Sequence, residues 1–83
     1  MVKIHEEGGL RVYVYSPPRE HQPPHVHVES TGGGEVLIRL GEGETGPTLW
    51  QNHHMSPADA RRALQLVNSN RDRFLAEWRK LHG

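Results

Sequence analysis

The 83-residue chain has no cysteine. That excludes a disulfide framework and a thiolate metal site, and it suits a reducing cytoplasm. No apolar run approaches the roughly 20 residues that span a membrane. The opening MVKIHEEGG has no apolar core of the secretory type, so export by that route is not expected. Net charge is also lacking: ten Lys/Arg balance ten Asp/Glu. A neutral chain lacks the general pull on polyanions that a dedicated DNA binder needs. No internal repeat, low-complexity tract or linker interrupts it, and its length suits one small domain.

The charge is unevenly placed. Residues 1–55 carry four Lys/Arg against seven Asp/Glu, and residues 56–83 carry six against three. The C-terminal half therefore offers a local basic surface, or simply the solvated face of a helix.

Leu10-Arg-Val-Tyr-Val-Tyr15 alternates and predicts a strand over 10–15. Two proline pairs follow, and Pro23-Pro24 holds the chain extended into His25-Val-His-Val-Glu29, a second strand. Ser30-Thr-Gly-Gly-Gly34 is a turn, and Glu35-Val-Leu-Ile-Arg-Leu40 a third strand. The loop GEGETGP lacks the Gly-Lys-Ser/Thr ending of a phosphate-binding loop. Thr48-Leu49-Trp50 adds a short fourth strand.

Ser56-Pro57-Ala58-Asp59 reads as a helix start: a cap, proline at the first helical position, and a carboxylate at the capping-box place. Ala60, Ala63, Leu64, Val67, Phe74, Leu75, Trp78 and Leu81 follow at helical spacing. They predict one long helix over about 57–81, kinked or broken at Asn68-Ser69-Asn70. The expected fold is α+β: a three- to four-stranded antiparallel meander with this helix on its apolar face.

Strand alternation sorts the chemistry. Leu10, Val12, Val14, Val26, Val28, Val36, Ile38 and Leu40 share one face. Arg11, Tyr13, Tyr15, His25, His27, Glu29, Glu35, Leu37 and Arg39 share the other, which is expected to lie outside the core. Three of the seven histidines fall within REHQPPHVHVE, residues 19–29.

Three uses of that face follow. His25, His27 and Glu29 at i, i+2 and i+4, about 6.6 Å apart in turn, suit zinc, iron or nickel better than magnesium or calcium. His21 joins them only if the proline loop bends back, and His53-His54 could supply a further ligand. Alternatively, His25 and His27 act as acid and base in a metal-independent ribonuclease, with Arg11 or Arg39 on phosphate. The third use is recognition of a protein or RNA partner through Arg11, Tyr13, His21, His25, His27 and Arg39. The plain alternative to all three is an open, solvated sheet face. Trp50 reads as a lid on the core, and the serines form no nucleophile elbow. A sheet edge offers a route to a homo-oligomer.

The run Glu20-His21-Gln22-Pro23-Pro24-His25-Val26-His27-Val28, followed by a strand and a helix ending in Glu77-Trp78, resembles the small prokaryotic domain-of-unknown-function family 4160 over nearly the whole chain. Its signature is similar to Asp-His-x-Pro-Pro-His-Phe-His-Val. Glu20 stands where aspartate is usual and Val26 where phenylalanine is usual. The resemblance marks Glu20, His21, Pro23, Pro24, His25 and His27 as signature positions. It implies a small intracellular protein of toxin–antitoxin character, with a protein or RNA partner, and no established activity.

Overall fold

The computed structural model describes residues 2–15, 23–41 and 43–82. Among these residues, five antiparallel strands form one sheet in chain order: β1 (Val2–Glu7), β2 (Leu10–Val14), β3 (His25–Ser30), β4 (Glu35–Arg39) and β5 (Thr48–His53). Helices α1 (Pro57–Ser69) and α2 (Arg71–His82) follow. The α+β class and the meander are as expected. The sheet has five strands rather than three or four, and the single helix is replaced by two.

The extra strand is β1. Its side chains are exposed except at Ile4 and His5, which are half-buried, so it has no alternating apolar signal. Pairing makes it a strand. Glu7 lies opposite Leu10 across Gly8-Gly9, which have φ of 56° and 82°. Two successive positive φ values are what a two-residue hairpin turn of the primed type requires, and glycine meets them without strain. Its Lys3 and Glu6 form an exposed ion pair at 2.8 Å. That hydrogen bond raises the Lys3 pKa and lowers that of Glu6. The stability due to Glu6 is thus present above the ordinary carboxylate range and fades as pH falls through it. Full exposure keeps it small.

The strand register stacks the apolar residues in rows across the sheet. Val12, Val28 and Val36 form one, and Val26, Ile38 and Leu49 another. The valines and Ile38 are wholly buried. The helices cover this face with Ala60, Ala63, Leu66, Val67, Phe74 and Trp78, while Leu64, Leu75 and Leu81 are only partly buried at its margin. Leu66 is thus a core residue that the helical spacing passed over.

The helix start forms as its residues predict. Pro57 opens α1, and Ser56 Oγ accepts from the Asp59 N–H at 3.2 Å. The Asp59 carboxylate turns elsewhere: it accepts from Ser30 Oγ at 2.9 Å and from Arg62 at 2.8 Å, tying α1 to the end of β3. The division between helices falls at Asn70, inside the predicted interruption. Its N–H bonds to the Leu66 and Val67 carbonyls, and its side-chain amide donates to Leu66 O. Arg71 Nε then donates to Leu40 O at 2.8 Å, and Arg73 reaches His5 Nδ1 at 2.6 Å. These contacts fasten the start of α2 to Leu40 beyond β4 and to His5 of β1.

The β3–β4 turn makes a close backbone approach. Gly34 has φ of 92°, and a Cβ there would lie 2.4 Å from Met55 N. Asn52 holds that same backbone by accepting from Met55 N at 2.9 Å and donating to Met55 O at 3.1 Å. Gly34→Ala is therefore expected to lower stability by about 2 kcal/mol or more, since it adds both strain and a backbone clash. Urea denaturation reads this directly, and an unchanged midpoint would show that the turn and the β5–α1 loop are not in close contact.

Candidate functional site

The face opposite the helices is organised by the same register. One row runs Glu6, Arg11, Glu29, Glu35, His53, and the next runs Lys3, Tyr13, His27, Leu37, Gln51. His25, Arg39 and Thr48 make a third at the end of the sheet. Between β4 and β5 the register slips, so that Leu37 pairs with Gln51 and Ile38 with Leu49. Trp50 is the extra residue of this bulge. A bulge re-aims a side chain, and here Trp50 comes to lie beside His25 and Arg39.

The expectation that the histidines lie outside the core is overturned. His25 is only 2 % exposed and His27 only 9 %. The His25 ring lies 5.3 Å from His27, 5.2 Å edge-on from Trp50 and 5.1 Å from Trp78 of α2. Its position at the first residue of β3 lets it touch the helix layer as well as its own face. His25 Nδ1 lies 3.0 Å from Pro23 O, so that nitrogen carries the hydrogen and donates to the carbonyl. Pro23-Pro24 thus does more than stiffen the entry to the strand: it supplies the acceptor that orients the ring. Tyr15 stacks on His27 at 4.2 Å and 20°.

Electrostatics on this face are balanced in pairs. Glu29 and Glu35 are direct cross-strand neighbours, an arrangement that by itself is unfavourable. Each has a cationic or ionisable group beside it. Arg11 lies 3.5 Å from Glu29, and His27 Nδ1 lies 3.5 Å from Glu35, which is an ion-pair distance rather than a good hydrogen bond. Arg39 is exposed and lies 4.4 Å above the Trp50 ring.

The candidate residues are thus partly gathered and partly separated. His25, His27, Arg39 and Trp50 come together, with Tyr13 beside His27. Glu29 is turned to Arg11. Among the described residues, no three His, Cys, Asp or Glu side chains are gathered as a group that could hold a metal ion, His25, His27 and Glu29 included. His53 sits two rows from His25 and bonds Gln51 at 2.8 Å, and His54 is exposed with φ of 70°. Glu20 and His21 lie outside the described residues.

Two contributors were not visible as such in the sequence. Trp78 was legible as core, not as a neighbour of His25. His82 stacks on Trp78 at 3.6 Å and donates from Nδ1 to Trp78 O at 2.9 Å. The i, i+4 spacing of Trp78 and His82 is the signal that could have paired them. Trp50 is not a lid on the helix-side core but a platform for Arg39.

These features define a small α+β domain whose histidine-bearing sheet face is packed with aromatic rings. The chain belongs to the domain-of-unknown-function family DUF4160, whose model matches residues 9–79. The match leaves out β1. Comparison with curated proteins and with solved structures gives no match. No helix among the described residues is long and apolar enough to cross a membrane.

Truncating His25 to alanine empties a site between two tryptophans, and is expected to cost about 3 kcal/mol, as for other buried ring deletions. Arg39→Ala should cost under about 1 kcal/mol, the scale of an exposed cation–π contact. Paired urea denaturation curves give both values. Equal, small losses would mean that His25 is not a packing residue.

Proposed function

We propose that this chain is a small cytoplasmic binding module that recognises a protein partner through the sheet face around Arg39, Trp50, Tyr13 and Arg11. The single observation that carries the proposal is the division of labour on that face. His25 and His27 are buried among Tyr15, Trp50 and Trp78, while Arg39 is exposed on the Trp50 ring. Buried rings locked by packing hold the exposed groups in place. Arginine and aromatic side chains in fixed positions are the usual carriers of binding energy at protein interfaces.

A protein suits the face better than RNA. Glu29 and Glu35 lie side by side in the same face and would repel a phosphate backbone, and the chain has no net positive charge to offset them. The family resemblance favours the other member of a toxin–antitoxin-like pair as that partner.

A second proposal is a metal-independent ribonuclease. The His27–Glu35 pair favours it, because a carboxylate beside an imidazole can orient a general base. Arg11 or Arg39 would then hold the phosphate. It predicts RNA cleavage with a bell-shaped pH profile that His27→Ala abolishes. Intact RNA after long incubation with clean protein removes it.

For the binding module, a partner identified by co-purification is reconstituted with purified chain. Arg39→Glu should weaken that complex by about tenfold or more, the effect of losing one central contact, while leaving the unfolding midpoint nearly unchanged. Unaltered affinity would place the interface elsewhere.

A further inference from the structure

The two sheet edges differ in chemistry. β1 carries Lys3, Glu6 and Glu7, the kind of charge that discourages pairing with another strand. β5 has neither a carboxylate, lysine, arginine nor proline, and among the described residues no strand lies on its outer side. Its outward backbone groups are placed for pairing.

A groove of about 340 Å³ runs between this edge and α1, lined by Leu49, Asn52, Pro57, Ala60, Arg61 and Leu64. Leu49 is 44 % exposed although it is a large apolar residue. Arg61 is the one charged group in the lining, and it is exposed. It has no carboxylate within ion-pair distance among the described residues: Asp59, the single acid of α1, is taken by Arg62 and Ser30. An edge ladder, an apolar groove beside it and an uncompensated cation at its wall match the strand-addition mode of peptide recognition.

We propose that the β5–α1 groove receives an extended, acidic and apolar segment of a partner protein. The segment adds to β5 as a sixth strand, sets an apolar side chain against Leu49, Pro57 and Leu64, and places a carboxylate on Arg61. The bulge at Trp50 divides the ladder, so the groove supplies part of the affinity. Pairing of β5 with β5 of a second copy is the less suitable occupant, because that strand carries no carboxylate for Arg61. The surface is separate from the Arg39 face, and either can fail without the other.

The test uses the full chain labelled with ¹⁵N and two capped peptides. One is Thr-Val-Thr-Glu-Thr-Val-Thr, which sets valine and glutamate on one strand face, and the other has lysine in place of the glutamate. The glutamate peptide is expected to shift the amide signals of Thr48–His53 and Ala60–Leu64 and to slow amide exchange along β5. N-methylation of its ladder-facing amides should abolish the effect. Arg61→Glu should weaken the glutamate peptide roughly two- to five-fold, the scale of one exposed ion pair, and reverse the preference between the peptides. Three results overturn the proposal: no shift in β5 at millimolar peptide, equal binding of both peptides, or β5 protection that rises with protein concentration alone. The last would assign the edge to a second copy.

Discussion

Burial of one valine-rich sheet face beneath two short helices is the constraint on which the rest depends. A chain of this size has little surplus of apolar surface. The rows Val12–Val28–Val36 and Val26–Ile38 must therefore be covered fully, and Phe74 and Trp78 provide the bulk that does so. A straight helix over residues 57–82 would overrun so small a sheet. The division at Asn70 lets α2 turn back to pack on β3, with Arg71 reaching Leu40 beyond β4 and Arg73 reaching Ile4 and His5 of β1.

That turn has a consequence on the other side of the molecule. It brings Trp78 to the first residue of β3, where His25 meets it. A histidine that strand alternation assigns to the polar face becomes a ring shared by both layers. Pro23 supplies its hydrogen-bond acceptor, and Trp50, displaced by the bulge, closes its remaining edge. The run Pro23-Pro24-His25-Val26-His27 thus has a packing rationale in this chain: the Pro23 carbonyl orients the first histidine, and the second stacks under Tyr15. Arg39 is exposed on its tryptophan platform, while Tyr13 and Arg11 are half-buried on the same sheet face, next to His27 and Glu29.

Much of this was legible beforehand, for identifiable reasons. β2, β3 and β4 alternate strictly, and the helix start at Ser56-Pro57 is encoded by capping chemistry that needs no tertiary partner. β1 was not legible from its own residues, since Lys3, Glu6 and Glu7 give it no apolar period. Its signal was the Gly8-Gly9 pair seven residues after the start. β5 runs on through Gln51-Asn52-His53, whose polar residues carry no apolar period, and a strand at an open edge can lack one. His25 and His27 were correctly placed on one strand face, but alternation reports direction and not depth.

The sequence by itself determined the strand pattern, the apolar face, the helix boundaries near Ser56 and Asn70, and the grouping of His25, His27, Arg11, Tyr13 and Arg39. These follow from local periodicity and capping, which act over a few residues. Tertiary structure alone decided the fifth strand, the bulge that moves Trp50, the burial of His25 against Trp78, and the pairing of Arg11 with Glu29 and of His27 with Glu35. Each of those depends on residues distant in the chain being brought to a common register, and no local preference specifies a register before the partner strand or helix is in place.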